Sequence, residues 1–399
     1  MTPFFETSTK KKISSTSSSE EQDASLEFAK LLKIKVNPEI ISGSLGEQAK
    51  KQSPVGSLET SKVKLSDTDN RVTIVQKKGE NFDFSQDKIQ LGNEMEYLRY
   101  IGVITINRIC LFTSNPKYAL LLELVGNVHY IASSILTGEL DRMRLVSLDG
   151  NIEEFCYFKN VDSLIYILYG NFPDKKAIWL LNQMRIAMQE ILGVRSPDQL
   201  DKQALGMIQQ QFNKRIHYLL MQFMTLQELF TPHKITSVDL FLCIDYFGLS
   251  FQSIGVISKL ITDRLVFAEL PHVASSDEED EEDSINELKE ALLTAKIEAI
   301  AANTLGTTTM LPSWISVKLG FQRYRFILFA KIRDYYITLL AEGNLELKEP
   351  IISDLIRILD NITQAPFIGD LTMYKVLIPE ITTYLQQQNS NIPISPPNL

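Results

Sequence analysis

The sequence predicts an α+β fold of two units behind a disordered N-terminal tail. Each unit is a small antiparallel five-stranded sheet with helices, in the order β-β-α-β-β-β-α. Three observations carry this expectation. Short apolar runs of strand length pair across tight turns from residue 97 onward. Apolar residues recur at helical spacing from about residue 118. The same succession then returns from about residue 238. With 399 residues and 44% hydrophobic content, the chain can bury two ordinary cores plus tails.

The first unit opens with "YIGVITIN" and "ICLFTSN", two strands joined at Asn107-Arg108 and stopped by Asn115-Pro116. In the helix that follows, Leu121, Leu124, Val125, Val128, Ile131, Ala132 and Ile135 form one apolar stripe, and Gly138 marks its stop. "DRMRLVSLDG", "IEEFCYFKN" and "DSLIYILYGN" read as three strands, with turns at Asp149-Gly150 and at Asn160 and Asp162. The helix "KKAIWLLNQMRIAMQEILG" takes its apolar positions from Ile178, Leu181, Met184, Ile186, Met188, Ile191 and Leu192. The stretch from Ser196 to Phe230 reads as one or two further helices appended to this unit.

The second unit starts with "VDLFLCID", a "YFG" turn and "LSFQSIG". Its first helix, "INELKEALLTAKIEAIAANTLG", has Leu288, Leu292, Ile297, Ile300 and Leu305 among its apolar positions. "SWISVKLGF", "YRFILFAKI" and "DYYITLLAEGN" read as strands, and "EPIISDLIRILDNI" as the closing helix. Residues 258–284 read as an insertion between hairpin and helix, carrying the acidic loop "DEEDEED" at 277–283. The expected organisation is a disordered tail over 1–60 and an extended or irregular lead-in over 61–96. Units at 97–235 and 236–365 follow, then a C-terminal segment and tail at 366–399. In the tail, "ASLEFAKLLKI" is a short apolar island that is marginal as an isolated helix. In the C-terminal segment, Met373, Val376, Leu377 and Ile381 suggest docking on the second unit, with an interruption at Pro379.

A hairpin, a helix, three strands and a helix in this order resemble the longin and roadblock class of the profilin-like fold. Residues 97–193 resemble a longin-like domain. Residues 237–363 resemble a roadblock- or longin-like domain, most closely through "KEALLTAKIEAIAANTLG" and "YYITLLAEGN". The resemblance covers a little over half of the chain and rests on element order and apolar pattern. It implies a non-enzymatic interaction module: a small-GTPase regulator or scaffold in a vesicle-trafficking-like system. It also implies protein partners, either a small GTPase or another longin or roadblock protein. A five-stranded sheet with helices on one side leaves a face or edge to be covered, and two such units can cover each other as a pseudo-dimer. The alternatives are a structural subunit of a homo- or hetero-oligomer without GTPase contact, and an enzyme with an unrecognised site.

Composition narrows the classes further. A net charge of −9 argues against a dedicated nucleic-acid binder, which needs a basic surface for phosphates. Arg323, Arg325, Lys331 and Arg333 interleave with aromatics, but strand alternation, polar out and apolar in, explains that pattern. No apolar run reaches the roughly 20 residues that cross a bilayer, and the N-terminus has no signal-like apolar core. A cytoplasmic location with at most peripheral membrane association is therefore expected; Lys10, Lys11 and Lys12 are too few to anchor a membrane. Cys110, Cys156 and Cys243 sit far apart in apolar runs and read as buried free thiols.

Chemistry-bearing motifs are missing. The sequence holds no phosphate-binding G-x-x-x-x-G-K-[ST], no G-x-G-x-x-G after a strand, no H-E-x-x-H and no C-x-x-C. His129, His217, His233 and His272 lack a second ligand at metal spacing, and Asp239 and Asp245 read as strand-end carboxylates. Ser275 and Ser276 precede the acidic run in a context that acidophilic kinases favour. No catalytic residue, cofactor or metal is expected.

Overall fold

The computed structural model describes residues 83–84, 86–91, 96–225, 240–252, 254–267 and 278–390. The tail at 1–60, its apolar island, most of the lead-in, His233, Asp239, His272, Ser275, Ser276, Asp277 and residues 391–399 lie outside the described residues. What is described falls in one compact unit, Lys77–Leu399.

The fold is α+β, with eleven strands in one antiparallel sheet. The strands are β1 (Ile89–Gln90), β2 (Tyr97–Thr105), β3 (Cys110–Thr113), β4 (Glu139–Ser147), β5 (Glu153–Val161), β6 (Leu164–Asn171), β7 (Leu242–Phe251), β8 (Ile254–Leu260), β9 (Met310–Gly320), β10 (Arg323–Ile332) and β11 (Tyr335–Gly343). Across the sheet they run β1-β2-β6-β5-β4-β9-β10-β11-β7-β8, with β3 also on β2. Two separate five-stranded sheets are therefore not what forms. β4 pairs directly with β9, from Glu139 opposite Lys318 to Ser147 opposite Met310, and this seam makes the sheet continuous.

The helices are α1 (Ala119–Tyr130), α2 (Asp174–Leu192), α3 (Lys202–Thr225), α4 (Glu278–Thr308), α5 (Lys348–Leu359), α6 (Thr372–Lys375) and α7 (Ile378–Ser390). They cover both faces of the sheet, which corrects the expectation of helices on one side. On one face, α1 and α4 lie together over Ile104, Met143, Ile167, Ile315, Ile327 and Leu340. Leu121 and Val125 of α1 share that core with Leu293, Ile297 and Ile300 of α4. On the other face, α2 and α3 bury Leu98, Ile101, Val103 and Leu168. Beside them, α5 to α7 bury Phe247, Leu249, Phe326 and Leu339. β2, β6, β7 and β11 are thus apolar on both sides, which is why they read as near-continuous apolar runs.

Several local expectations change. The second hairpin turns at Gln252, whose φ of 47° is left-handed, and not at "YFG". Tyr246, Phe247 and Gly248 lie inside β7, where Gly248 makes room for the Tyr246 ring: a Cβ there would sit 2.7 Å from the hydroxyl oxygen. The acidic run from Glu278 opens α4 and is not a loop; carboxylates suit the positive end of a helix dipole. Ile178, Ile186, Leu288 and Met373 are exposed, because the buried stripes of their helices run through Ala177, Leu181 and Met184, through Leu293 and Ile297, and through Tyr374; Val376, between α6 and α7, is exposed as well. The stretch after α2 forms one long helix, α3. The C-terminal segment docks through α7, whose Asn389 accepts from Ile244 N–H at 2.8 Å and donates to its carbonyl at 2.9 Å. Pro379 falls in the first turn of α7, where a proline is tolerated.

Both ends of the sheet are blunted. The N–H of Leu260 in β8 points away from β7 and donates to Glu290 Oε1 at 2.9 Å, and a bulge interrupts the same strand opposite Leu249 and Ser250. At the far end α3 covers β3, with Phe112 edge-on to Phe212 at 5.0 Å. Tight strand contact sets one stability test. A Cβ on Gly170 would lie 2.3 Å from the Tyr97 carbonyl oxygen, so Gly170→Ala should cost about 1–3 kcal/mol, read as a lower urea midpoint. An unchanged midpoint would mean that β2 and β6 can separate there at no cost.

Candidate functional site at the β4–β9 seam

Two clusters of buried charge reach the seam, one on each face of the sheet, while Glu154, Lys176 and Glu290 are buried elsewhere. On the α1–α4 side, Arg325 is the centre. Its Nε donates to Glu342 Oε2 at 3.0 Å, and its Nη1 donates to the Leu136 carbonyl at 2.8 Å and to Thr137 Oγ1 at 3.3 Å. Arg323 and Arg264 join Glu342 at 2.8 and 3.4 Å. Arg264 also reaches Asp245 Oδ1 at 2.8 Å, where Thr262 donates as well. Asp245 is fully buried, and its Oδ2 meets no hydrogen-bond partner. Burial pushes the Asp245 carboxyl above its ordinary value, against the pull of Arg264.

These contacts are possible because of how α1 ends. The helix loosens into a π-turn over Ile131–Ile135, then reverses through Thr137 with φ 53°. Gly138 follows where a Cβ would sit 2.7 Å from the Lys318 carbonyl oxygen. The glycine that reads as a helix stop is thus needed for β4 to meet β9. The loop after β8 crosses to the same place, with Val266 N–H donating to the Ile135 carbonyl at 3.2 Å.

On the opposite face Arg142, almost fully buried, pairs with Asp174 and holds Asp141 at 3.0 Å. Tyr157 donates to Asp174 Oδ1 at 2.7 Å, and Ser316 of β9 donates to Asp141 Oδ2 at 3.0 Å. Burial followed by the Asp174 charge holds the Tyr157 phenol well above its usual range. The start of α2 is thereby tied to the seam.

Two open clefts flank the seam at the Glu139–Lys318 pair. One, about 350 Å³, is walled by Phe158 and Ile178 and rimmed by Asp141, Lys159 and Lys318. The other, about 520 Å³, lies between Ser133, Thr137 and Leu319. The Ser133 hydroxyl is spent on the His129 carbonyl at 2.9 Å. Apolar walls with mixed charges on the rim offer a protein surface something to grip. They bring together no nucleophile with a base, and among the described residues no three His, Cys, Asp or Glu side chains gather as a metal-binding group.

The residues singled out from sequence are scattered. Cys156 and Cys243 are buried, Cys110 is half-buried, and all three are free thiols. His129 is half-buried in α1, and burial lowers its affinity for a proton; His217 packs on Phe84 with ring centroids 4.9 Å apart. Asp245 is a mid-strand residue and not a strand-end carboxylate. Arg325 breaks the polar-out pattern expected of β10, since it points into the Glu342 network. Arg142 was legible only as a strand charge, and no local signal marks it as buried. Among the described residues no helix is long and apolar enough to cross a membrane. No protein-family model matches this chain, and no curated protein matches it.

Two tests follow from the network. Arg325→Met removes the bond to Leu136 while Glu342 keeps Arg264 and Arg323, so it should cost about 2 kcal/mol and speed hydrogen exchange at 131–138. Unchanged exchange there would detach Arg325 from the seam. The second concerns pH. Asp245 holds its proton more tightly folded than unfolded, so its contribution to stability grows as pH falls through the window between its two pKa values and is lost as pH rises. Relative to Asp245→Asn, the wild type should gain melting temperature between pH 7 and pH 4. A constant offset between the two proteins would contradict burial as the main cause.

Proposed function

We propose that this chain is a cytoplasmic, non-enzymatic interaction module, two longin- or roadblock-like units fused as a pseudo-dimer, that regulates or scaffolds a small GTPase in a trafficking-like system. One observation supports it above the others. From one end of the sheet the strands run β3-β2-β6-β5-β4 to the seam, and from the other β8-β7-β11-β10-β9. In both runs a hairpin flanks the last of three consecutive strands, a helix links hairpin to meander, and a helix follows the meander. The two meanders meet through their first strands. This is the arrangement expected if two copies of one small unit cover each other's open edges.

The remaining surfaces favour docking over catalysis. The clefts at Glu139 and Lys318 combine apolar walls with opposite charges, the composition of a protein-contact rim. The test uses the full chain and purified small GTPases loaded with GDP or with a non-hydrolysable GTP analogue. One nucleotide state should be retained preferentially, with a change in nucleotide exchange or hydrolysis. Retention of neither state by any GTPase of the panel would sink the proposal.

A further inference from the structure

At the tip of the first hairpin, two unfavourable residue choices converge on one exposed side chain. Arg108 is the third residue of the hairpin loop, after a turn over Ile106 and Asn107 that its N–H closes on the Thr105 carbonyl at 2.9 Å, and its φ of 67° is a left-handed conformation in which glycine or asparagine is the usual residue. Gly126 lies buried in the middle of α1, where glycine weakens a helix. The three heavy atoms nearest to a Cβ built on Gly126 all belong to Arg108: Nε at 3.1 Å, Cγ at 3.2 Å and Cδ at 3.3 Å. Nothing of α4 or of the sheet comes as close. The glycine is therefore a notch for the arginine stem.

The next helix residue orients the head group: Arg108 Nη2 donates to Asn127 Oδ1 at 3.0 Å. No carboxylate among the described residues pairs with this guanidinium. A strained turn, a helix-interior glycine and a side-chain amide together hold in place one exposed cation that has no carboxylate partner among the described residues. A surface arginine kept only for solubility requires none of these. Ile106, in the same turn, is 44% exposed and supplies an apolar neighbour.

We infer that Arg108 is a preorganised anchor for an oxyanion, a carboxylate or a phosphate, presented by a protein partner. The planar fork has free donors for bidentate contact, and the notch removes in advance the entropy cost of fixing a long side chain. The inference does not require the partner to be a GTPase. In a GTPase complex either an acidic side chain or the bound nucleotide could be the oxyanion.

The experiment follows the arginine Nε–H signals of the full chain by NMR, with Arg357 as the internal control, a side chain 80% exposed that pairs with Asp354 at 3.1 Å on the surface of α5. The free protein should show Arg108 rigid and Arg357 mobile. Pyrophosphate and a hexaglutamate peptide are then titrated separately. A saturable shift at Arg108, at least tenfold tighter than at Arg357, is expected with one of them. Pyrophosphate would identify a phosphate source and the peptide an acidic side chain.

Two variants separate function from packing. Arg108→Gly relieves the left-handed strain and Gly126→Ala restores a good helix former. Both should hold or raise the melting temperature, and Gly126→Ala should loosen the Arg108 signal and weaken the probe at least tenfold. Three results would each overturn the inference: an Arg108 as mobile as Arg357, equal response of both arginines to both probes, or a fall in melting temperature in both variants, which would make the contact structural packing.

Discussion

The antiparallel pairing of β4 with β9 is the constraint from which the rest follows. Without it each half would present a long open strand edge and an unshared helix. With it, α1 and α4 share one apolar layer, and Lys296 lies 4.0 Å from the centroid of the Tyr130 ring. The remaining edges are short, bulged or covered. The buried charges on either side of the seam are held in pairs and triads, with one oxygen of Asp245 left without a partner, and each cluster also ties down a nearby element. Arg325 holds the end of α1, and Arg142 holds the start of α2. Buried ion pairs are weak evidence of net stabilisation, and their better attested role is to fix one arrangement among several. Here each ion pair lies within one half, and the contacts that cross the seam are made by their members: Arg325 donates to the Leu136 carbonyl, and Asp141 accepts from Ser316.

Much of this was legible in the residues, and the part that was not has physical reasons. Helix α1 could be read almost residue for residue, because a seven-position stripe at helical spacing has no strand alternative. β6 and β11 were legible as apolar runs. The seam was not, since pairing between strands roughly 170 residues apart leaves no local trace. The parity of β4 was hidden too: a bulge at Asp141 places Arg142 opposite Ser316 and Leu140 opposite Val317. Arg142 therefore faces the α2 side, while Leu140 and Met143 lie in the opposite core. β7 misled for another reason. Ten buried residues with a glycine inside look like strand, turn and strand, and only the Tyr246 ring explains why Gly248 belongs to the strand.

The candidate surface was the least legible feature. Charged strand residues normally point to solvent, so Arg325 and Asp245 carried no mark of burial. Exposed apolar positions such as Ile178 counted as core because a stripe on a helix does not say where its edge lies. The glycine at 126 had no reading of its own until the arginine across from it came into view.

A covalent join between the two halves also removes a symmetry. A dimer of identical subunits must display every surface feature twice, and any anchor it builds arrives in duplicate. In this chain the tip of the first hairpin carries Arg108, whereas the tip of the second carries Gln252. Whatever grips the first tip finds one such grip per molecule. One chain presents one such tip, and the two ends of the sheet differ in the side chain they display there.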